Sequence, residues 1–321
     1  MGIRRMTKSA GIAWLAGASL AVAGAAAAKP VVIAHRGLAQ QYDGNGVDRF
    51  TGCTASRMYP PRHRHIENTI ASMKAAFALG AGMVEIDVAP TADGQVVVFH
   101  DWTLECRTDG KGEVRAHKLA ELRKLDIGYG YTADGGRTFP FRGKGVGPMP
   151  ILEEVLRALP GKPLLINFKS RDPNEADAVA AAFRRAGVAI DERYGFYGPG
   201  SGKVLARMRE LAPRAWIWDR AEGCSRAYFL RGWNDETQKL CRGEMIVVPL
   251  DWTERAEGWP DLFLARMKSN GTKVLLAGDM AGGDGAPGGF ETVEQMKRVP
   301  KGFDGYLWVE DLWAVKGMVK R

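Results

Sequence analysis

The chain is expected to fold as an α/β protein, a (β/α)8 TIM barrel, and three observations lead there. Eight short, almost wholly apolar runs recur along the sequence, amphipathic helical patterns separate most of them, and 293 of the 321 residues remain once a leader-like N-terminus is set aside. Runs that are apolar at successive positions are strands buried on both faces, which is the signature of parallel pairing. Eight such units over this length favour a closed barrel over an open sheet.

Taken in order, the N-terminal residues stand outside the barrel. Arg4, Arg5 and Lys8 make a basic start, residues 11–28 are small and apolar apart from Ser19, and the alanines before Lys29 offer an A-x-A cleavage site. Residues 1–28 read as a secretory signal peptide, and 29–321 as one barrel domain in an exported protein, periplasmic or secreted. An 18-residue Ala/Gly-rich stretch is barely long enough to span a bilayer and anchors poorly. Strands are expected at 31–35, 83–88, 164–169, 194–197, 215–218, 245–250, 273–277 and 305–309. Helices are expected at 68–79, 151–159, 173–186, 203–211, 260–269 and 292–299. Asn68-Thr69 can cap the first helix and Gly80 can end it. The turn Thr91-Ala92-Asp93-Gly94 is followed by an extended run at 95–99, a hairpin that rises above the barrel and returns to its rim. That return delivers His100 to the face carrying Glu85 and Asp87. In place of a fifth helix, residues 221–243 are polar and irregular. Two long loops, 38–66 and 128–150, fall where a barrel builds its active-site rim.

The formal charge of +8 becomes +5 without residues 1–28, with 42 basic against 37 acidic side chains. A mild basic excess suits an anionic small molecule or a transient membrane-surface contact. No dense Lys/Arg stripe and no nucleic-acid motif occurs, so nucleic acid is not an expected partner, and nothing points to an obligate protein partner. Four cysteines, Cys53, Cys106, Cys224 and Cys241, permit three pairings and fit an oxidising compartment. Cys53 and Cys106 each follow a motif on the same barrel face, and Cys224 and Cys241 flank the polar insertion, so those two bridges are expected. No cysteine spacing resembles a zinc site.

The chemistry concentrates at strand ends. His35-Arg36-Gly37 closes the first strand: a guanidinium at a barrel mouth can grip a phosphate through two parallel hydrogen bonds, and Gly37 permits a tight turn. Glu85 and Asp87 lie two apart on a strand and so share one face. Two carboxylates buried together repel unless a cation lies between them, and an oxygen-only set suits Ca²⁺ or Mg²⁺ better than zinc. His100-Asp101 adds a second imidazole. One imidazole can take a proton while the other gives one, and paired carboxylates can hold a divalent cation against a phosphodiester. His63 and His65 look like a metal pair but sit beside arginines in a polar loop, and His117 has no supporting context. Trp102, Trp218, Trp252 and Trp308 lie near strand ends and could line a pocket or simply pack the barrel.

These motifs, in this order, resemble the glycerophosphodiester phosphodiesterases, whose barrel is of the phospholipase C type. The resemblance rests on His35-Arg36-Gly37, Glu67-Asn68-Thr69, Gly80-Ala81, Glu85-Ile86-Asp87-Val88, His100-Asp101, Arg107-Thr108-Asp109-Gly110, Leu125-Asp126-Ile127-Gly128 and the run from Pro150 to Leu156, with Gly302-Phe303-Asp304-Gly305 near the end. It is dense over residues 31–170 and continues by layout beyond. It implies metal-dependent hydrolysis of a small-molecule glycerophosphodiester to an alcohol and glycerol phosphate. His35 and His100 would be the acid–base pair, Glu85 and Asp87 would bind one divalent cation, Ca²⁺ or Mg²⁺, and Arg36 and Lys169 would contact the phosphate. The family's third acidic ligand is replaced by Asn167, whose amide oxygen can still bind a hard cation with one charge fewer. Ile66 stands where proline is usual, the 38–66 loop is enlarged, and Leu275-Leu276-Ala277-Gly278-Asp279 replaces a tryptophan-containing motif. Two other readings follow from these departures: a lysophospholipase D or sphingomyelinase-D-like enzyme on lipid-tailed diesters, and a phosphodiester-binding protein that has lost turnover.

Overall fold

A computed structural model describes residues 1–2, 29–44, 53–145, 147–198, 202–219, 223–280 and 287–319. Of the expected signal peptide, residues 1–28, all but Met1 and Gly2 lies outside the described residues. The strands are β1 (Val31–Ala34), β2 (Met83–Pro90), β3 (Val96–Val98), β4 (Leu164–Phe168), β5 (Tyr194–Gly198), β6 (Trp216–Asp219), β7 (Met245–Pro249), β8 (Lys273–Ala277) and β9 (Tyr306–Val309). The helices are α1 (Ile70–Ala78), α2 (Leu119–Leu122), α3 (Leu152–Ala158), α4 (Asn174–Ala186), α5 (Gly202–Leu211), α6 (Cys224–Arg231), α7 (Asp235–Cys241), α8 (Asp261–Ser269), α9 (Val293–Lys297) and α10 (Leu312–Val319).

Eight parallel strands run in the order β6-β5-β4-β2-β1-β9-β8-β7. All eight expected strands are present, and they make a nearly closed (β/α)8 barrel; among the described residues no hydrogen-bonded ladder joins β6 to β7. Apolar side chains outside the strands pack against the helices, while Ile33, Met83, Leu165, Trp216, Met245 and Leu275 fill the barrel interior. β3 pairs antiparallel with β2, Val88 against Val98, so the expected hairpin forms and carries the chain back to the rim at His100.

Two differences have clear causes. The first helix begins at Ile70, not at residue 68. Asn68 takes a left-handed backbone (φ 57°) and spends its amide on Asp87, so Thr69 caps instead by accepting from the Ser72 N–H at 3.2 Å. The segment 221–243, expected to be irregular, holds α6 and α7. Helices of eight and seven residues are too short to show a period, and the Cys224–Cys241 bridge and the Asn234 cap on Thr237 hold them in place of length. The other expected bridge, Cys53–Cys106, is also present, and the described residues leave no free cysteine. No helix among the described residues is long and apolar enough to cross a membrane. Two disulfides fit a compartment outside the reducing cytoplasm.

Candidate active site

Sheet register builds the site. Asp87 on β2 lies opposite Asn167 on β4, Asn167 opposite Tyr197 on β5, and Tyr197 opposite Trp218 on β6. These side chains form one inward layer near the carboxyl ends of the strands, where barrels place their chemistry. Glu85 and Asp87 are both fully buried.

The two carboxylates are treated unequally. Asp87 accepts from Asn68 Nδ2 at 2.9 Å, Asn167 Nδ2 at 2.9 Å and Lys169 Nζ at 3.3 Å, and Arg36 Nε lies 3.4 Å away. Burial would raise its pKa, but Lys169, His100 and Arg36 hold it well below the usual carboxylate range. Glu85 accepts from the Tyr197 hydroxyl at 2.7 Å and from the Arg36 backbone N–H at 3.1 Å. Among the described residues no lysine or arginine side chain is bonded directly to it, and His35 Nε2 lies at 3.8 Å. Burial and the neighbouring Asp87 charge raise the Glu85 pKa, and His35 and Arg36 offset this only in part.

The imidazoles stand at the ends of β1 and of the hairpin. His35 Nδ1 is 2.6 Å from Glu310 Oε1, and its ring packs 5.1 Å from that of Trp308. Burial would lower its pKa, but Glu310 and Glu85 raise it above the ordinary value. His100 Nδ1 is 2.6 Å from Asp101 Oδ1. Here burial, reinforced by Arg36 and Lys169, outweighs Asp87 and Asp101 and lowers the pKa to about 4.

Two buried arginines tie the halves together. Arg36 has a left-handed backbone (φ 53°), which aims its N–H at Glu85, while its side chain donates Nε–H to His35 Nε2 at 3.1 Å and Nη1–H to Glu67 at 2.8 Å. Gly37 beside it is at φ 78°, with a space where an added Cβ would meet Ser72 Oγ at 2.7 Å, so a tight turn and a close approach both require glycine. Arg107 bonds Asp101 and lies 3.2 Å from Glu67. Burial opposes ionisation of Glu67, but Arg107 and Arg36 hold its pKa at about 2.

The structure thus brings His35, Arg36, Glu85, Asp87, His100, Asn167 and Lys169 into one cluster. Arg36, expected to face the phosphate, is largely engaged by Glu67 and Asp87, whereas Lys169 is partly exposed. His63 bonds Gln40 in the loop and is no part of the cluster. Of the tryptophans, Trp218 stacks on Tyr197 at 5.0 Å and Trp308 meets His35, while Trp102 is exposed under Arg115 and Trp252 packs on Phe229. Sequence reasoning assigned no role to Glu310, Tyr197, Glu67 or Arg107. Glu67 and Arg107 lie inside recognised motifs, so a search for counter-charges to Arg36 and Asp101 could have found them. Glu310 and Tyr197 carry no local signal.

Glu85, Asp87 and Asn167 are the side chains here with the chemistry to hold a hard divalent cation, with Asp87 also engaged by Asn68, Lys169 and Arg36. Two fully buried carboxylates share a face, one of them without a directly bonded lysine or arginine side chain among the described residues, and the Asn167 amide stands beside them in register. Glu85 and Asp87 would hold the cation, joined by Asn167 Oδ1 once that amide, which turns Nδ2 to Asp87 here, is flipped. The set has two acidic ligands where a stronger site has three, and among the described residues no group of three or more His, Cys, Asp or Glu is arranged around a common point.

A barrel whose mouth carries two carboxylate-held imidazoles, paired carboxylates and a lysine has the architecture of a phosphodiesterase barrel. The sequence profile of the glycerophosphoryl diester phosphodiesterase family matches residues 35–199, just over half of the chain, and the chain belongs to that family. It is 39% identical over 105 residues to a glycerophosphodiester phosphodiesterase of Caldanaerobacter subterraneus subsp. tengcongensis, covering 32% of this chain and 39% of that one. It is 34% identical over 109 residues to the human lysophospholipase D GDPD1, covering 33% of this chain and 32% of that one. The chain spans well under half the length of these curated relatives. Among solved structures, a glycerophosphodiester phosphodiesterase from Agrobacterium tumefaciens superposes with a TM-score of 0.59 at 20% identity, over 91% of this chain and all of that one. An Oleispira antarctica phosphodiesterase in complex with the product sn-glycerol-3-phosphate superposes with a TM-score of 0.58 at 19% identity, over 91% of this chain and 97% of that one. At such identities the likeness is one of fold.

Proposed function

We propose that the protein is an exported, metal-dependent glycerophosphodiester phosphodiesterase, releasing an alcohol and glycerol phosphate by His/His acid–base catalysis. The observation that carries this reading is the pair of imidazoles, each held through Nδ1 by its own carboxylate, at the edge of the Glu85–Asp87 pair. Residues 1–28 would direct export and residues 29–321 would form the catalytic domain.

The chain's own residues divide the labour. His100, kept neutral near physiological pH, takes the proton of the attacking hydroxyl, be it water or the glycerol's neighbouring hydroxyl. His35, its pKa raised by Glu310, gives a proton from Nε2 to the departing alcohol oxygen, a step that requires Arg36 Nε, which donates to that nitrogen here, to turn away. Lys169 meets the phosphate, and Arg36 adds positive potential while it orders Glu67 and Asp87. A divalent cation at Glu85, Asp87 and Asn167 would supply charge neutralisation on the non-bridging oxygens. The named activities of the human and bacterial relatives make lipid-tailed and small glycerophosphodiesters the two substrate classes to compare.

The test is release of glycerol phosphate from glycerophosphocholine by the purified protein with Ca²⁺, with Mg²⁺ and with chelator, beside His35→Ala. Metal-dependent turnover lost in the variant is the expected result. Turnover on lysophosphatidylcholine alone would move the assignment to lysophospholipase D, and turnover on neither diester would leave the binding-protein reading.

A further inference from the structure

The enlarged loop after β1 is stitched to the segment after His100 by the Cys53–Cys106 bridge. The residues next to those sulfurs also meet: Arg107 Nη2 donates to Thr54 Oγ1 at 2.7 Å. The same guanidinium bonds Asp101 through Nη1 and lies 3.2 Å from Glu67 Oε1. Asp101 in turn holds His100 Nδ1, and Glu67 holds Arg36 at 2.8 Å. One buried fork, 2% exposed, therefore spans from the imidazole of one half-site to the arginine of the other. The second rim insertion closes over it. Gly130 approaches so near that an added Cβ would lie 1.9 Å from the Cys106 carbonyl oxygen, and its N–H reaches the Arg107 carbonyl at 3.4 Å.

We propose that the Cys53–Cys106 bridge is a functional element: it fixes Arg107, a positioning residue for His100 and Arg36, so that opening it slows turnover while the barrel stays folded. The inference rests on the phosphodiesterase reading. A dithiol supplies two electrons and two protons, the S–S bond breaks to give the Cys53 and Cys106 thiols, and the dithiol closes to its own disulfide. The loop then loses its covalent hold on Thr54, and with it one arm of the Arg107 fork. The second bridge is an internal contrast. Cys224 and Cys241 are fully buried and join α6 to α7, whereas Cys53 and Cys106 are only partly buried, so a mild dithiol opens the rim bridge first.

The experiment treats the full folded chain with low dithiothreitol, maps opened thiols by alkylation and mass spectrometry, and measures kcat, KM, far-UV circular dichroism and the His100 ring resonance by NMR. With Cys53 and Cys106 alkylated, kcat is expected to fall about tenfold or more with KM within about twofold, as for a misplaced acid–base group. Helix signal is retained and the His100 resonance moves. Arg107→Lys, which keeps the charge but not the fork, reproduces the kcat loss. Cys224→Ser/Cys241→Ser lowers the melting temperature and leaves kcat intact. An open rim bridge with unchanged kcat and an unmoved His100 resonance overturns the inference. If the oxidised protein hydrolyses no diester, the functional reading fails, and the His100 resonance alone still decides whether the bridge positions that ring.

Discussion

His35 and His100 each present Nδ1 to a carboxylate at 2.6 Å, Glu310 for one and Asp101 for the other, and both stand at the mouth of the same barrel. Their proton affinities nevertheless part in opposite directions, His35 upward and His100 down to about 4. The dyads are alike, so the difference comes from what surrounds them. His35 has Glu85 on its far side, and the Trp308 indole helps to hold Glu310 ionised. His100 is lowered first by burial, then by Arg36, which opposes His35 as well, and by Lys169, and its partner Asp101 is itself claimed by Arg107. Asp101, bonded directly to Arg107, raises its histidine too little to offset burial and Lys169, whereas Glu310 and Glu85 together outweigh burial at His35.

Removing either ring breaks the comparison outright. His35→Ala and His100→Ala are each expected to lower kcat about 1,000-fold, and the double variant to lose little more, because the two act as a unit. Additive losses in the double-variant kinetics would mean the rings work independently. Removing the orienting carboxylates sharpens it. Glu310→Gln should cost about 100-fold or less in kcat and move the alkaline limb of kcat/KM to lower pH, since His35 must be protonated and its pKa falls without the anion. Asp101→Asn should lower the plateau and leave that limb in place; a shared limb shift would contradict the division of roles. At the carboxylates, Asn167→Asp should tighten Ca²⁺ binding about tenfold in calorimetric titration by restoring a third charge. An unchanged affinity would place residue 167 outside the ligand set. The smallest effect is on stability. The folded pKa of His100 lies below the unfolded value of 6.5, so the unfolded chain binds the extra proton and stability falls as pH drops from 6.5 toward about 4. His100→Asn should flatten urea-derived stability over that window by roughly 1 kcal/mol per pH unit. His35 has the opposite sign: its pair with Glu310 contributes fully below 6.5 and is lost as pH rises through its raised folded value.

Much of this arrangement was legible in the chain before any contact was known. Apolar runs at 31–35 and 83–88 announce buried parallel strands, and the spacing of Glu85 and Asp87 puts both on one face because side chains alternate along a strand. The hairpin that returns His100 to the rim follows from Thr91-Ala92-Asp93-Gly94. The Cys53–Cys106 pairing followed from two motifs sharing a face, and Cys224–Cys241 from the polar insertion the two flank. The two short helices at 224–241 were not legible, since neither is long enough to display a period and a disulfide stands in for length. α10 was missed too: its first turn is capped by Asp311, which accepts from the Ala314 N–H, rather than by any run seen in the sequence.

Sequence alone therefore determined the barrel, the order of its strands and the residue types at the strand ends, because periodicity and turn chemistry are local properties. Tertiary structure decided how those residues are charged and which of them are committed. That Glu310, 275 positions away, meets His35 depends on β9 pairing with β1, and that Tyr197 reaches Glu85 depends on the register through β4. Arg36 reads as a phosphate grip in the sequence, and only the fold reveals Glu67 and Asp87 beside its guanidinium. Proton affinity is set by burial and by the sum of nearby charges, and both come into being only when distant strands close into one ring.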